Sequence, residues 1–292
     1  MIDRSLLVVD TDPGTDDAIA FALLAAMKGL PRMAFVSSYG NMPLDVTHAN
    51  MRKVLSLVGL DGVVYLGSDA PIEGPEPDCG GYHGVDGLGG VAGLIEDTWE
   101  GPEGTLADLA DRICSAPACT YITIGPLTNL ARMLRMRPEV AHHVDRLLAM
   151  GGGIERSNRP HGAEYNFAAD PVADAEVFSS GIPITLFPLD LTHRYPLTPA
   201  QIDALPLEEG SPLRLILEAN CASGMATGGG GAVVHDAFPV LYIREPGAFE
   251  TVVEPMRVNG YGRTERCDEG VETEVVVSAR DGLLLEALSR LG

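Results

Sequence analysis

The stretch that most constrains this chain is Leu6-Leu-Val-Val-Asp10-Thr-Asp12-Pro-Gly14-Thr-Asp16-Asp17, which puts four carboxylates within eight residues. Leu6 to Val9 is apolar and β-branched enough for a buried strand, Pro13-Gly14 signals a turn, and Ala18 to Met27 has the composition and length of a helix. The acids therefore gather where a strand ends and a helix begins. Alternation along an extended strand turns Asp10 and Asp12 to the same side, while Asp16 and Asp17 fall in the first helical turn beneath exposed backbone N–H groups. All four are expected to face one crevice. Two ionised carboxylates about 4 Å apart at an effective dielectric near 20 repel by roughly 4 kcal/mol, so the cluster needs a cation or shared protons. Oxygen-only donors favour a hard ion, Ca²⁺ or Mg²⁺, over zinc. Either acid pair alone also has a structural explanation, because Asp before Pro-Gly makes turns and Asp in a first helical turn complements the helix dipole.

Strand and helix patterns then alternate. Met33 to Ser38, Val63 to Leu66, Thr120 to Ile124, Arg146 to Met150 and Pro183 to Phe187 read as strands. Helical stretches over Leu44 to Leu57, Leu106 to Ser115, Leu130 to Met136 and from Asp170-Pro171 onward lie between them. Short connections between such units imply parallel pairing and right-handed crossovers. The expected class is α/β, a Rossmann-like, mostly parallel central sheet flanked by helices, with ligands bound outside the carboxyl ends of the strands. No linker divides the 292 residues, so one domain over 1–292 is expected. Residues 67–104, rich in Gly, Pro and acids, are too long for a plain connection and are expected to pass over the site. Ser223 to Gly231 ends in four glycines and reads as a flexible segment and a candidate lid. Strands near Thr251 to Val258 and Glu274 to Val277, then a helix from Asp281 to Leu291, carry no visible chemistry.

Charge narrows the partners. With 41 acidic and 20 basic residues the net charge of −21 opposes a nucleic-acid backbone or an anionic membrane, but not a neutral small molecule. No stretch of eighteen apolar residues is free of charges, Gly or Pro, so no membrane span is expected. Five widely spaced cysteines without a CxxC suggest reduced thiols and no zinc site. No secretory signal is evident at the N-terminus, and cytoplasmic residence is the default expectation.

The run Asp10-Thr-Asp12-Pro-Gly-Thr-Asp16-Asp17-Ala resembles the N-terminal signature of the inosine-uridine nucleoside hydrolases, Ca²⁺-dependent enzymes that cut the N-glycosidic bond of ribonucleosides. Later segments are similar to that family in the same order: Gly40-Asn41, His83-Gly-Val-Asp-Gly-Leu-Gly89, Gly125-Pro-Leu-Thr-Asn129, Asn158 with Glu164 and Asn166, and His235-Asp236. The resemblance covers nearly all of residues 5–243. It implies the nucleoside hydrolase fold and a Ca²⁺ ion held by Asp12, Asp17, Asp236 and the backbone oxygen of Ile124. Asp12 would also be the general base toward a water on that ion, with the Asn41 amide positioning carboxylate and water, and Asp10 would orient from outside the shell. The same resemblance puts Asp16 and Asn166 on the ribose 2′-hydroxyl, Asn158 and Glu164 on the 5′-hydroxyl, His83 on the nucleobase side and His235 against the departing base. It also implies a homodimer or homotetramer.

One segment departs from the family. Where relatives carry a Gln or Tyr and a Tyr or Arg about twelve and eight residues before the His, this chain has Ser223 and Thr227. Base preference is therefore left open. Two other classes fit parts of the pattern. A Ca²⁺-dependent ribose- or nucleoside-binding protein without activity would keep the metal and sugar residues. An aspartyl-nucleophile phosphatase would use Asp10-Thr-Asp12, but Pro13-Gly14 and the second acid pair obstruct a phosphate-receiving loop. Thr128 is expected to cap the helix that follows it.

Overall fold

The computed structural model describes residues 5–75, 78, 79 and 81–291. The parts of the 67–104 excursion at 76, 77 and 80 lie outside them. The chain opens with β1 (Leu6–Thr11), α1 (Thr15–Ala25), β2 (Arg32–Ser37), α2 (Leu44–Val58) and β3 (Val63–Leu66). The excursion then returns into the sheet as the short β4 (Glu103–Thr105), followed by α3 (Leu106–Ser115), β5 (Cys119–Thr123), α4 (Thr128–Met136) and β6 (Val144–Met150). Next come α5 (Tyr165–Ala169), α6 (Pro171–Phe178), β7 (Ile184–Phe187), α7 (Leu189–Thr192), α8 (Pro199–Asp203), α9 (Pro212–Ala226) and α10 (Ala237–Arg244). The chain ends with β8 (Phe249–Val258), β9 (Thr264–Arg266), β10 (Val271–Ala279) and α11 (Leu283–Leu288).

One sheet of ten strands results, in the order β4-β3-β2-β1-β5-β6-β7-β10-β8-β9. Every pair from β4 to β10 is parallel, and only β8 and β9 run antiparallel to their neighbours. This is the α/β, mostly parallel architecture the alternating pattern implies. The chain winds outward from β1 to β4, then comes back to the other side of β1 at β5. That reversal leaves a crevice beyond the carboxyl ends of β1 and β5, where ligands of doubly wound sheets bind.

Alternation along β1 splits the core. Leu7 and Val9 pack with α1, α2, α9, α10 and α11 on one face, and Leu6 and Val8 with α3, α4 and α6 on the other. Helix α1 is buried from Thr15 through Leu24, consistent with its apolar character all round. Such a helix holds its first turn rigidly, and that turn carries Asp16 and Asp17.

Three expectations change. Ser223 to Ala226 belong to α9, and beyond them Leu197 bridges Ala232, so the flexible segment is shorter than the glycine run suggested. The Gly229 N–H also donates to the Gly224 carbonyl at 2.7 Å. Thr128 is the first residue of α4 rather than its cap, and its hydroxyl donates to Asp170 at 2.8 Å, the buried carboxylate offering a stronger acceptor than a helix end. Asp10 does not join the other acids. Tyr121 on β5 and Asn129 on α4 donate to its two oxygens at 2.6 and 2.8 Å and hold it in a separate buried network.

Candidate active site

Asp12 follows β1 directly and is fully buried. The Asn41 backbone N–H, just past β2, donates to Asp12 Oδ2 at 2.7 Å, and the Asn41 side-chain amide donates to the Asp12 carbonyl at 3.1 Å. Gly40 makes this approach possible, since a Cβ there would stand 2.0 Å from Asp12 Oδ2. On the other side a Cβ at Gly125 would lie 2.7 Å from Asp12 Oδ1, which sets the Ile124–Gly125 strand end against the carboxylate. Asp12 Oδ1 itself is buried and has no hydrogen-bond partner among the described residues.

Asp17 is fixed by its own turn, accepting from the Thr11 hydroxyl at 2.5 Å and from the Gly14 N–H at 2.8 Å. Asp236, preceding α10, completes the group. Asp16, Asp17 and Asp236 each offer an oxygen, and the three lie within 4.8 Å of one another. Burial, then the charge of Asp17, raises Asp16 to about 7. Burial raises Asp12 and Asp17 as well, and for Asp12 the charge of Asp17 adds to it. Asp236 is pushed well above the usual carboxylate range by burial and then by Asp16, Asp17 and Asp12. Burial and mutual repulsion therefore favour protonated forms within this group of acids in the ion-free protein, with Asp236 hydrogen-bonded to Asp16 and Asp17. The orphaned buried oxygen of Asp12 and the all-oxygen set of Asp16, Asp17 and Asp236 fit a hard divalent cation.

The remaining residues ring this centre. His83 Nδ1 lies 3.8 Å from Asp16 Oδ1 and meets Thr15, and His235 Nδ1 lies 2.7 Å from the Thr192 hydroxyl. Burial, together with His193 and His83, pulls His235 down to about 3. Asn166 is buried, its amide donating to the Met150 carbonyl at 3.3 Å and the Ile124 carbonyl at 3.5 Å. Glu164 caps α5, accepting from the N–H groups of Gly152, Asn166 and Phe167, and burial raises it to about 7. Asn158 is exposed, and its backbone N–H donates to the carbonyl of Ala163, the neighbour of Glu164, at 3.2 Å.

Several neighbours were not singled out in the sequence. Thr192 and His193 follow β7, with His193 set edge-on to His235 at 5.2 Å between ring centroids. Tyr165 donates to the Gly40 carbonyl at 2.6 Å and carries Arg159 over its ring. Tyr82 stands edge-on to His83, and Ser223 donates to the Tyr82 carbonyl at 2.7 Å, so Ser223 ties the excursion to α9. Only their place at strand ends or beside matched motifs signalled them.

Fold and site together define an α/β protein with a carboxylate-lined, cation-fitting crevice at the switch point of a doubly wound sheet. Residues 7–282 match the family described as inosine-uridine preferring nucleoside hydrolase, and the chain belongs to that family. It is 33% identical over 270 residues to the pyrimidine-specific ribonucleoside hydrolase RihA of Salmonella typhimurium, covering 88% of this chain and 85% of that protein. It is 34% identical over 250 residues to the non-specific ribonucleoside hydrolase RihC of Escherichia coli, covering 84% and 81%. Among solved structures, a plant nucleoside hydrolase superposes with a TM-score of 0.89 at 23% identity, and a purine-preferring ribonucleoside hydrolase from Gardnerella vaginalis with 0.85 at 25%, each over 98% of both chains.

Proposed function

We propose that this protein hydrolyses the N-glycosidic bond of ribonucleosides to ribose and free base, with Ca²⁺ as its resident cation. The observation that carries this reading is the partnerless, buried Asp12 Oδ1 beside three acids within reach of one ion. Asp12, Asp17, Asp236 and the Ile124 carbonyl would hold the cation, which when bound supplies an anchor for the 2′,3′-diol and lowers the pKa of a water.

Asp12 acts as general base. The Asn41 N–H donates to Oδ2 and holds the carboxylate in a fixed orientation toward the water. The dense negative charge of the crevice favours positive charge building on the ribosyl ring as the bond breaks. Asp16 and Asn166 take the 2′-hydroxyl. Asn158 and Glu164 take the 5′-hydroxyl, with Glu164 Oε1 keeping acceptor capacity beyond its bond from Asn166. His235, neutral in these surroundings and oriented by Thr192, polarises the departing base through a neutral imidazole N–H.

A reducing-sugar assay over purine and pyrimidine nucleosides, run beside calorimetric ribose binding, tests the reading. Sugar release from at least one nucleoside is expected. Ribose binding without turnover on any of them would replace hydrolysis with binding alone, and phosphate release from phosphomonoesters would favour a phosphatase.

A further inference from the structure

A chain of hydrogen bonds runs into the site from the far side of α1. Asn220 on α9 is fully buried, and its Nδ2 donates to the Thr15 hydroxyl at 3.0 Å. That hydroxyl lies 2.9 Å from His83 Nδ1, and the Thr15 backbone N–H, the first of α1, donates to the same nitrogen at 3.0 Å. The protons can be counted. A backbone N–H only donates, so Nδ1 is an acceptor and carries no hydrogen. The hydroxyl facing it must then be the donor, and having given its hydrogen it accepts from the Asn220 amide. Each member therefore has one polarity.

The amide cannot be turned round without putting a carbonyl against an oxygen whose hydrogen is already spent. The fold keeps this orientation although it leaves Asn220 Oδ1 buried and unpartnered, an arrangement that costs free energy and persists for a reason.

We infer that Asn220, acting through the Thr15 hydroxyl, is a positioning residue that gives His83 Nδ1 a second hydrogen bond beside the one from the Thr15 N–H, which already fixes the hydrogen on Nε2, and so holds the ring in one orientation for the bound substrate. His83 Nε2 has no partner among the described residues. Nδ1 lies 3.8 Å from Asp16 Oδ1 and the ring stands edge-on to Tyr82 at 5.0 Å between centroids, which leaves Nε2 as the donor available to a ligand. His83 is then a fixed hydrogen-bond donor to an acceptor atom of the nucleoside. That last step rests on the proposed hydrolase reading, whereas the tautomer does not.

The experiment is ¹⁵N-histidine NMR of the Ca²⁺-loaded protein, with the His83 signals assigned by their loss in His83→Gln. Wild type should show Nδ1 unprotonated and Nε2 protonated as a single tautomer. In Asn220→Asp the carboxylate accepts from the Thr15 hydroxyl and draws it away from Nδ1, and in Thr15→Val the hydroxyl is gone. Both should keep the hydrogen on Nε2, because the Thr15 N–H still donates to Nδ1, but should move the Nδ1 resonance to higher frequency as one of its two accepted hydrogen bonds is lost, and Asn220→Gln, which keeps a donor, should restore the wild-type position in part. For any nucleoside that is cleaved, kcat/KM should fall by about 10-fold in Asn220→Asp, the worth of one well-placed hydrogen bond. A wild-type His83 protonated on Nδ1, or an Nδ1 resonance unchanged in both folded variants, overturns the inference. Should one variant fail to fold, the wild-type spectrum and the other variant decide. Absence of turnover on every nucleoside beside a locked tautomer would instead count against the hydrolase reading.

Discussion

Asp236→Asn should make the ion-free protein more stable and make it insensitive to calcium. Three carboxylates with oxygens inside 4.8 Å of one another repel by about 3 kcal/mol per ionised pair at an effective dielectric near 20. The fold answers this with a raised pKa at Asp236, caused by burial and then by Asp16, Asp17 and Asp12, which favours its protonated form. A raised carboxylate pKa adds no penalty below its unfolded value near 3.8 and a growing one as pH climbs above it, because the unfolded chain releases that proton first. Asparagine has nothing to release, yet its amide still donates to Asp16 and Asp17. The variant should therefore match wild type near pH 4 and exceed it by a margin that widens toward pH 8. At roughly 2 °C per kcal/mol for a chain of this size, relief of one pair is worth about 5 °C in Tm. Calcium acts oppositely on the two proteins. At 100-fold excess over its Kd it adds about 2.7 kcal/mol to the wild type, again about 5 °C, and little to the variant. Thermal unfolding followed by fluorescence from pH 4 to 8, in EDTA and in Ca²⁺, measures both effects. A variant that is less stable than wild type in EDTA at pH 8, and still gains 5 °C from calcium, would refute the reasoning.

Asp12→Asn should lower turnover by at least about 100-fold on any nucleoside the wild type cleaves, the smallest loss expected when a general base is removed; steady-state kinetics decide it. Gly40→Ala should do comparable damage without touching a reacting group. Its Cβ would stand 2.0 Å from Asp12 Oδ2, and displacing a base by about 1 Å costs on the order of 100-fold; a variant with normal kcat would contradict the packing. Asp10→Asn concerns stability. Burial raises Asp10 from 3.8 to about 7, so between those values wild type loses stability as pH rises, by about 4 kcal/mol in all, and the variant should not. Urea unfolding at pH 4 and pH 8 tests this, and an identical pH slope in both proteins would rule it out.

The sheet was legible because its strands are short apolar runs closed by Gly, Pro or acidic residues, each followed by a helical stretch. What periodicity could not supply was β4 and β9, three residues each, too short for a pattern and formed because neighbouring strands offer open ladder positions. The acid cluster was readable from Asp12, Asp16 and Asp17 alone, since sequence proximity nearly guarantees spatial proximity across one turn. Alternation alone groups Asp10 with the other acids, because it fixes which side a side chain leaves the strand but not that Tyr121 and Asn129 will hold it; the resemblance sets it outside the shell. Thr192, His193 and Asn220 escaped notice because their partners lie 42 or more residues away. Ser223 illustrates the converse, since a glycine-rich neighbourhood suggested a mobile loop whereas α9 continues through it to Ala226.

The central claim is that distant segments of this chain meet to bind one divalent ion, and a crystal structure of the protein grown with Ca²⁺ and ribose tests it most directly. The account predicts a single ion with oxygens of Asp12, Asp17, Asp236 and the Ile124 carbonyl at about 2.3–2.6 Å and the sugar's diol on its open side. Calcium bound elsewhere, or a crevice in which those four groups hold only water at saturating calcium, would contradict it.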